Sequence, residues 1–215
     1  MFKSRVSRAR TSGRSVLYAV AGIVMAALLV AAVAAGNAAW ISVWNGAPYP
    51  SVDPDAVAQR LKARSDEVYD GFALPDKYAA DSGKVTTGAC YYRGLRSIAH
   101  IDEARSDVRS FGLDWSVPDV SEATARDAQQ RVRRHLVQNG WKLTHQGDRI
   151  NPKFRELGFR FENPDSGDQV DVRWNDLTAT LFVSIYAPCG QVPGDFVEYD
   201  WSEAGWQPNE HSAGM

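Results

Sequence analysis

The sequence predicts an α+β domain behind an N-terminal transmembrane helix: a mostly antiparallel sheet of about four to five strands, with one main helix packed on a face. Three observations predict it. A basic head, Met1 to Arg14, runs into a 20-residue uncharged stretch from Val16 to Ala35. A capped amphipathic segment lies between Ser121 and Gly140. After it come three segments of alternating polarity separated by turn signals, the pattern of neighbouring antiparallel strands.

The span is the first element, over residues 16–36. At 1.5 Å per residue, 20 residues reach about 30 Å, one hydrocarbon thickness. Nine of the residues from Val16 to Ala35 are Val, Ile or Leu, and no charge offsets them. Lys3, Arg5, Arg8, Arg10 and Arg14 lie in the preceding head, residues 1–15, with no acidic residue among them. Basic residues stay on the cytoplasmic side, so the remainder is expected outside. Trp40, Trp44 and Tyr49 follow the span, where amphipathic rings favour the interface. The lipid bilayer is therefore the first expected partner, through Val16 to Ala35. The competing reading is a signal peptide cut near Ala32 and Ala34, with secretion of the rest. A signal core is only about 7–15 residues, shorter than this run.

Residues 37–53, with Gly46, Pro48 and Pro50, read as a linker. A juxtamembrane helical segment is expected over 54–82: Asp53 is an N-cap, Pro54 fits the first position, and Val57, Leu61 and Val68 make a thin apolar face. Gly71 and Pro75 stop the helix, and docking along the domain is favoured over a free stalk. The extracytoplasmic α+β domain is expected over 83–201. Val85 to Leu95 reads as a strand around Cys90. His100 to Trp115 admits two readings, since Ile101, Ala104 and Val108 keep helical spacing while Phe111, Leu113 and Trp115 alternate. Ser121 to Asn139 is the main helix, with Ala125, Ala128, Val132 and Leu136 on one face and Gly140 just past its end. Then alternate Trp141 to His145, Leu157 to Phe161 and Val170 to Trp174, followed by the more apolar Thr178 to Tyr186. The tail over 202–215 is expected to be flexible.

The chain has 24 Lys+Arg and 26 Asp+Glu, and five of the basic residues precede the span, which leaves 19 against 26 beyond it, a net −7. That disfavours nucleic acid as a partner. Cys90 and Cys189 are the two cysteines, both beyond the span. An oxidising exterior and an even count predict one disulfide between them.

No motif names a reaction or a cofactor. His100, His135, His145 and His211 form no HExxH or metal-spaced cluster, and no GxSxG, GK[ST] loop or GxGxxG occurs. Glu156, Glu162, Asp168 and Asp171 fall on or beside neighbouring strands and could supply a glycosidase acid pair. The plainer reading makes them a solvent face balanced by Arg155, Arg160 and Arg173. Asn163, Asp165 and Asp168 could touch Ca²⁺, but the Gly and Glu positions of an EF-hand are wrong and turn chemistry suffices. Among the seven tryptophans, Trp115, Trp141 and Trp174 read as core. Tyr199, Trp201 and Trp206 are the candidate binding surface, able to stack on a sugar or peptide if exposed.

The Ala/Arg/Val/Asp-rich style, basic head, single span and one-disulfide α+β exported domain give a chain that resembles small exported single-pass proteins of high-GC actinobacteria, while the fragments Cys90-Tyr-Tyr-Arg-Gly, Asn139-Gly-Trp141 and Tyr186-Ala-Pro-Cys-Gly carry no catalytic meaning. The resemblance covers architecture and composition and transfers no catalytic role. The functional expectation is a membrane-anchored, non-enzymatic domain that binds an envelope protein or cell-wall polymer. The alternatives are an envelope hydrolase, which would need a converged acid pair, and a small-molecule module, which would need an apolar pocket at Phe159, Phe161 and Val183.

Overall fold

A computed structural model describes residues 39–151, 154–194, 196 and 205–208, with positions 25, 30, 31, 33, 36 and 37. The chain divides into two units: Met1–Pro48 with Tyr92–Ile101, and Tyr49–Tyr91 with Asp102–Met215.

In the first unit, every described position from 25 to 45 is helical. Among the described residues no helix is long and apolar enough to cross a membrane. The expected span lies almost wholly outside the described residues, of which Met25, Val30, Ala31 and Val33 fall within it. The unit's other segment carries a short helix, α2 (Arg96–Ala99).

The second unit opens with α1 (Pro54–Phe72), which is capped as its sequence predicts: the Asp53 carboxylate accepts the Asp55 N–H at 3.0 Å. Ala73, in the left-handed region at φ 45°, ends it. Val57, Ala58, Leu61, Val68 and Phe72 fall on one face and are buried, so α1 packs into the core. It ends at Phe72, beside Gly71, where the sequence predicts its stop. Next come β1 (Lys84–Tyr91) and β2 (Ala104–Val117). The ambiguous stretch thus resolves as strand from Ala104 on. Its pairing with β6 shifts register between Arg109 and Phe111.

The helix α3 (Glu122–Gln138) follows, with the Ser121 hydroxyl accepting the Thr124 N–H at 3.3 Å and Gly140 at φ 81° beyond its end. Ala125, Ala128, Val132 and Leu136 are buried as predicted. The meander β3 (Lys142–Asn151), β4 (Phe154–Glu162), β5 (Gln169–Asn175) and β6 (Thr180–Gln191) completes the unit.

The six strands pair antiparallel with one another, in the order β1-β2-β6-β5-β4-β3. The α+β class and antiparallel sheet are those predicted, with one correction: the sheet has six strands, because His100 to Trp115 contributes one. The main helix α3 shares the covered core with α1, which docks there by its thin apolar face as favoured. Cys90 and Cys189 form the predicted disulfide, 99 residues apart in sequence. It joins β1 to β6, the two strands that flank β2.

Candidate functional site

Side chains alternate along a strand, so β6 sends Leu181, Val183, Ile185 and Ala187 into the core. Phe182, Ser184 and Tyr186 go to the opposite face, which no described helix covers. Register carries this second face across the sheet. One row runs Lys84, Asp114, Ser184, Asp171, Arg160, His145. A flanking row runs Ser116, Phe182, Arg173, Gly158, Gly147.

Asp171 is the centre of the first row. Arg160 donates to its Oδ2 from Nε at 3.1 Å and Nη2 at 2.6 Å, and Arg173 Nε stands 3.4 Å from Oδ1. Each carboxylate oxygen therefore faces a guanidinium. A shallow recess of about 330 Å³ adjoins them, lined also by His145, Glu156 and the facing pair Gly147 and Gly158. A Cβ on Gly158 would come within 3.0 Å of Arg173 Cγ, and one on Gly147 within 3.2 Å of His145 Nε2. The glycines let the arginine and the imidazole lie down across the sheet. Phe182 and Tyr186 remain exposed beside them. The result is a polar, aromatic-studded surface with charges largely matched in place.

Of the four candidate carboxylates, Asp168 and Glu162 stand apart, while Glu156 and Asp171 line one recess. Asp168 is fully buried and takes a two-pronged bond from Arg60 of α1, at 2.9 and 3.2 Å. Asp171 is held by Arg160 of β4, as cross-strand pairing predicts, and by Arg173 two residues along its own strand. Glu162 lies 3.4 Å from Gln169 Nε2. Glu156 shares the recess with Asp171. At the edge of the sheet, Arg155 joins Asp148 at 2.8 Å and Glu122 at 3.0 Å. Its hydrogen bond holds the Asp148 carboxyl below the usual carboxylate range and raises the guanidinium's own pKa.

The Asn163 side chain caps its own turn, accepting from the Asp165 and Ser166 N–H groups. No cluster of three or more His, Cys, Asp or Glu fit for a metal occurs among the described residues. His135 reaches Glu67 of α1 at 3.1 Å, so it links two helices. Phe159, Phe161 and Val183 are buried in the core, and Phe159 also lines a recess of about 490 Å³ together with Arg126, Gln129 and Arg133.

Of the candidate stacking surface, Tyr199 and Trp201 lie outside the described residues. Trp206 is corrected: it is 3% exposed. It stacks on Trp115 at 4.8 Å, donates to Asp66 at 2.8 Å and pairs its backbone with Gly83. A ring so enclosed cannot offer a face to sugar or peptide.

The charged part of this face was legible in sequence as a solvent face with Arg160 and Arg173 balancing Asp171; its aromatic part, Phe182 and Tyr186, was not. Period-two alternation of Phe182, Ser184 and Tyr186 against Leu181, Val183 and Ile185 was the available signal. The class defined by this fold is a one-sided antiparallel sheet domain, with two helices on one face and a charged, aromatic surface on the other. Set against known protein families, curated proteins and solved structures, the chain matches none.

Proposed function

We propose that the chain is a single-pass envelope protein, anchored through Val16 to Ala35 with its head in the cytoplasm, whose exported domain binds another envelope protein through the uncovered sheet face. The observation that carries the binding reading is that face: Phe182 and Tyr186 stand exposed on β6, Phe182 directly opposite Arg173 of β5, with Arg160 one strand further on. Aromatic and arginine side chains are the groups that most often anchor protein contacts. The topology is supported by the basic head, the uncharged run and a disulfide of the kind that persists in oxidising compartments.

A photo-crosslinking amino acid at Phe182, in the full chain expressed in its host, tests the reading. The expected result is one discrete adduct, lost on Arg173→Glu and absent when the same group sits at the exposed Arg134 of α3. No adduct at Phe182, or the same adduct at both positions, would overturn it. Protease added outside intact spheroplasts should remove the domain and spare the basic head.

A further inference from the structure

The connection between β1 and β2 has the composition of a membrane-facing segment. Residues 92–101 read Tyr-Arg-Gly-Leu-Arg-Ser-Ile-Ala-His-Ile, with Leu95, Ile98 and Ile101 at three-residue spacing. All three are exposed, Ile98 at 68% and Ile101 at 71%. Exposed aliphatics scattered singly need no explanation, but a cluster of them does.

This segment belongs to the same compact unit as the residues that follow the apolar run. The Leu95 N–H donates to the Val43 carbonyl at 3.1 Å, and Arg93 Nη1 donates to the Ala47 carbonyl at 3.3 Å. Gly46 and Gly94 both have positive φ. A Cβ on Gly94 would fall 2.6 Å from the Val43 oxygen and 2.7 Å from the Trp44 oxygen, so glycine is what allows so close an approach. On the segment thus joined, Trp40 and Trp44 stack at 6.1 Å and are exposed, as are Ile41 and Val43. In sequence Trp40 follows Ala35, the end of the apolar run, by five residues, a spacing that suits the headgroup layer.

Charge points the same way. None of the chain's 26 acidic residues lies in this unit; the first is Asp53, and the loop is followed at once by Asp102 and Glu103. Beyond the basic head its only Lys or Arg residues are Arg93 and Arg96. An aliphatic cluster with aromatic neighbours and cations but no anions matches an anionic lipid surface, where rings and alkyl groups enter the headgroup boundary and guanidiniums meet phosphates.

We propose that residues 92–101, together with residues 39–45, form an interfacial lipid-binding element that embeds Leu95, Ile98 and Ile101 in the outer headgroup layer. The proposal rests on the anchored topology above, which brings that layer within reach. The full chain, reconstituted in phosphatidylcholine–phosphatidylglycerol vesicles that carry a diazirine phospholipid, is irradiated and digested with trypsin. Label is expected on the peptide Ser97–Arg105, and also within Val16–Ala35.

The variant with Ile98→Asp and Ile101→Asp alters only exposed side chains, and its fold is checked by circular dichroism and the intact disulfide. Its loop labelling should fall on the order of tenfold, with labelling of Val16–Ala35 unchanged. Label confined to Val16–Ala35 would overturn the interfacial element and leave the anchor standing. Label on the loop alone would uphold the element and overturn the anchor. No label at either place would overturn both, and undiminished loop labelling in the variant would overturn the role of these isoleucines.

Discussion

Asp168 has no contact with solvent, yet it carries a carboxylate. A buried charge is tolerable only when paired and hydrogen-bonded, and the Arg60 fork supplies both conditions at once. Arg60 itself is 38% exposed, so water takes part in balancing the pair. Arg60→Ala should therefore lower the unfolding free energy by about 2–3 kcal/mol, below the loss for a pair buried on both sides. Urea denaturation at neutral pH measures it, and a midpoint equal to that of the unmodified chain would show that the pair is dispensable. Arg60→Lys should restore only part, because an ammonium cannot make the two-pronged contact. This pair was not legible in sequence: its members stand 108 residues apart, an arginine on a polar helix face and an aspartate after a glycine turn. Asp171 was legible, since strict alternation on β4 and β5 placed Arg160 directly opposite it.

At the scale of elements, legibility tracked the strength of local signals. The main helix could be read to within a residue or two, because its Ser121 cap, its face from Ala125 to Leu136 and Gly140 all agree. The strand β2 could not, because Ile101, Ala104 and Val108 mimic a helix until tertiary pairing with β1 and β6 decides the matter. Trp206 shows the same limit at the other end of the chain. Between Gly205 and Gln207 it belongs to no periodic pattern, and only the fold reveals Tyr69, Trp115 and Asp66 around it. The tail segment is thereby fastened beside the start of β1, through paired hydrogen bonds with Gly83 at 2.9 and 2.8 Å. Trp206→Ala should cost about 3 kcal/mol, the usual scale for emptying a tryptophan site. Thermal or urea unfolding provides the check, and no loss of stability would mean that the tail adds nothing to the core.

At the scale of the whole molecule, the disulfide is the covalent constraint, and the two cysteines announced it. Closing a loop of about 100 residues restricts the unfolded chain by roughly 4–5 kcal/mol. Urea midpoints with and without reductant should differ accordingly, and the variant Cys90→Ala with Cys189→Ala should match the reduced protein. Equal midpoints would show that the bond does not stabilise the fold. Because it ties together the strands on either side of β2, its loss should also loosen the β1–β2 hairpin before the meander.

The same bond changes what a proteolytic nick can do. The β4–β5 turn, with Asp165 exposed, lies inside the loop that Cys90 and Cys189 close. A cut there opens the chain but frees nothing: the distal fragment stays covalently attached to residues 1–90. Shedding it takes a reductant as well as a protease. A clipped molecule would run as intact on a gel until thiol is added, and would remain wherever its N-terminal part holds it.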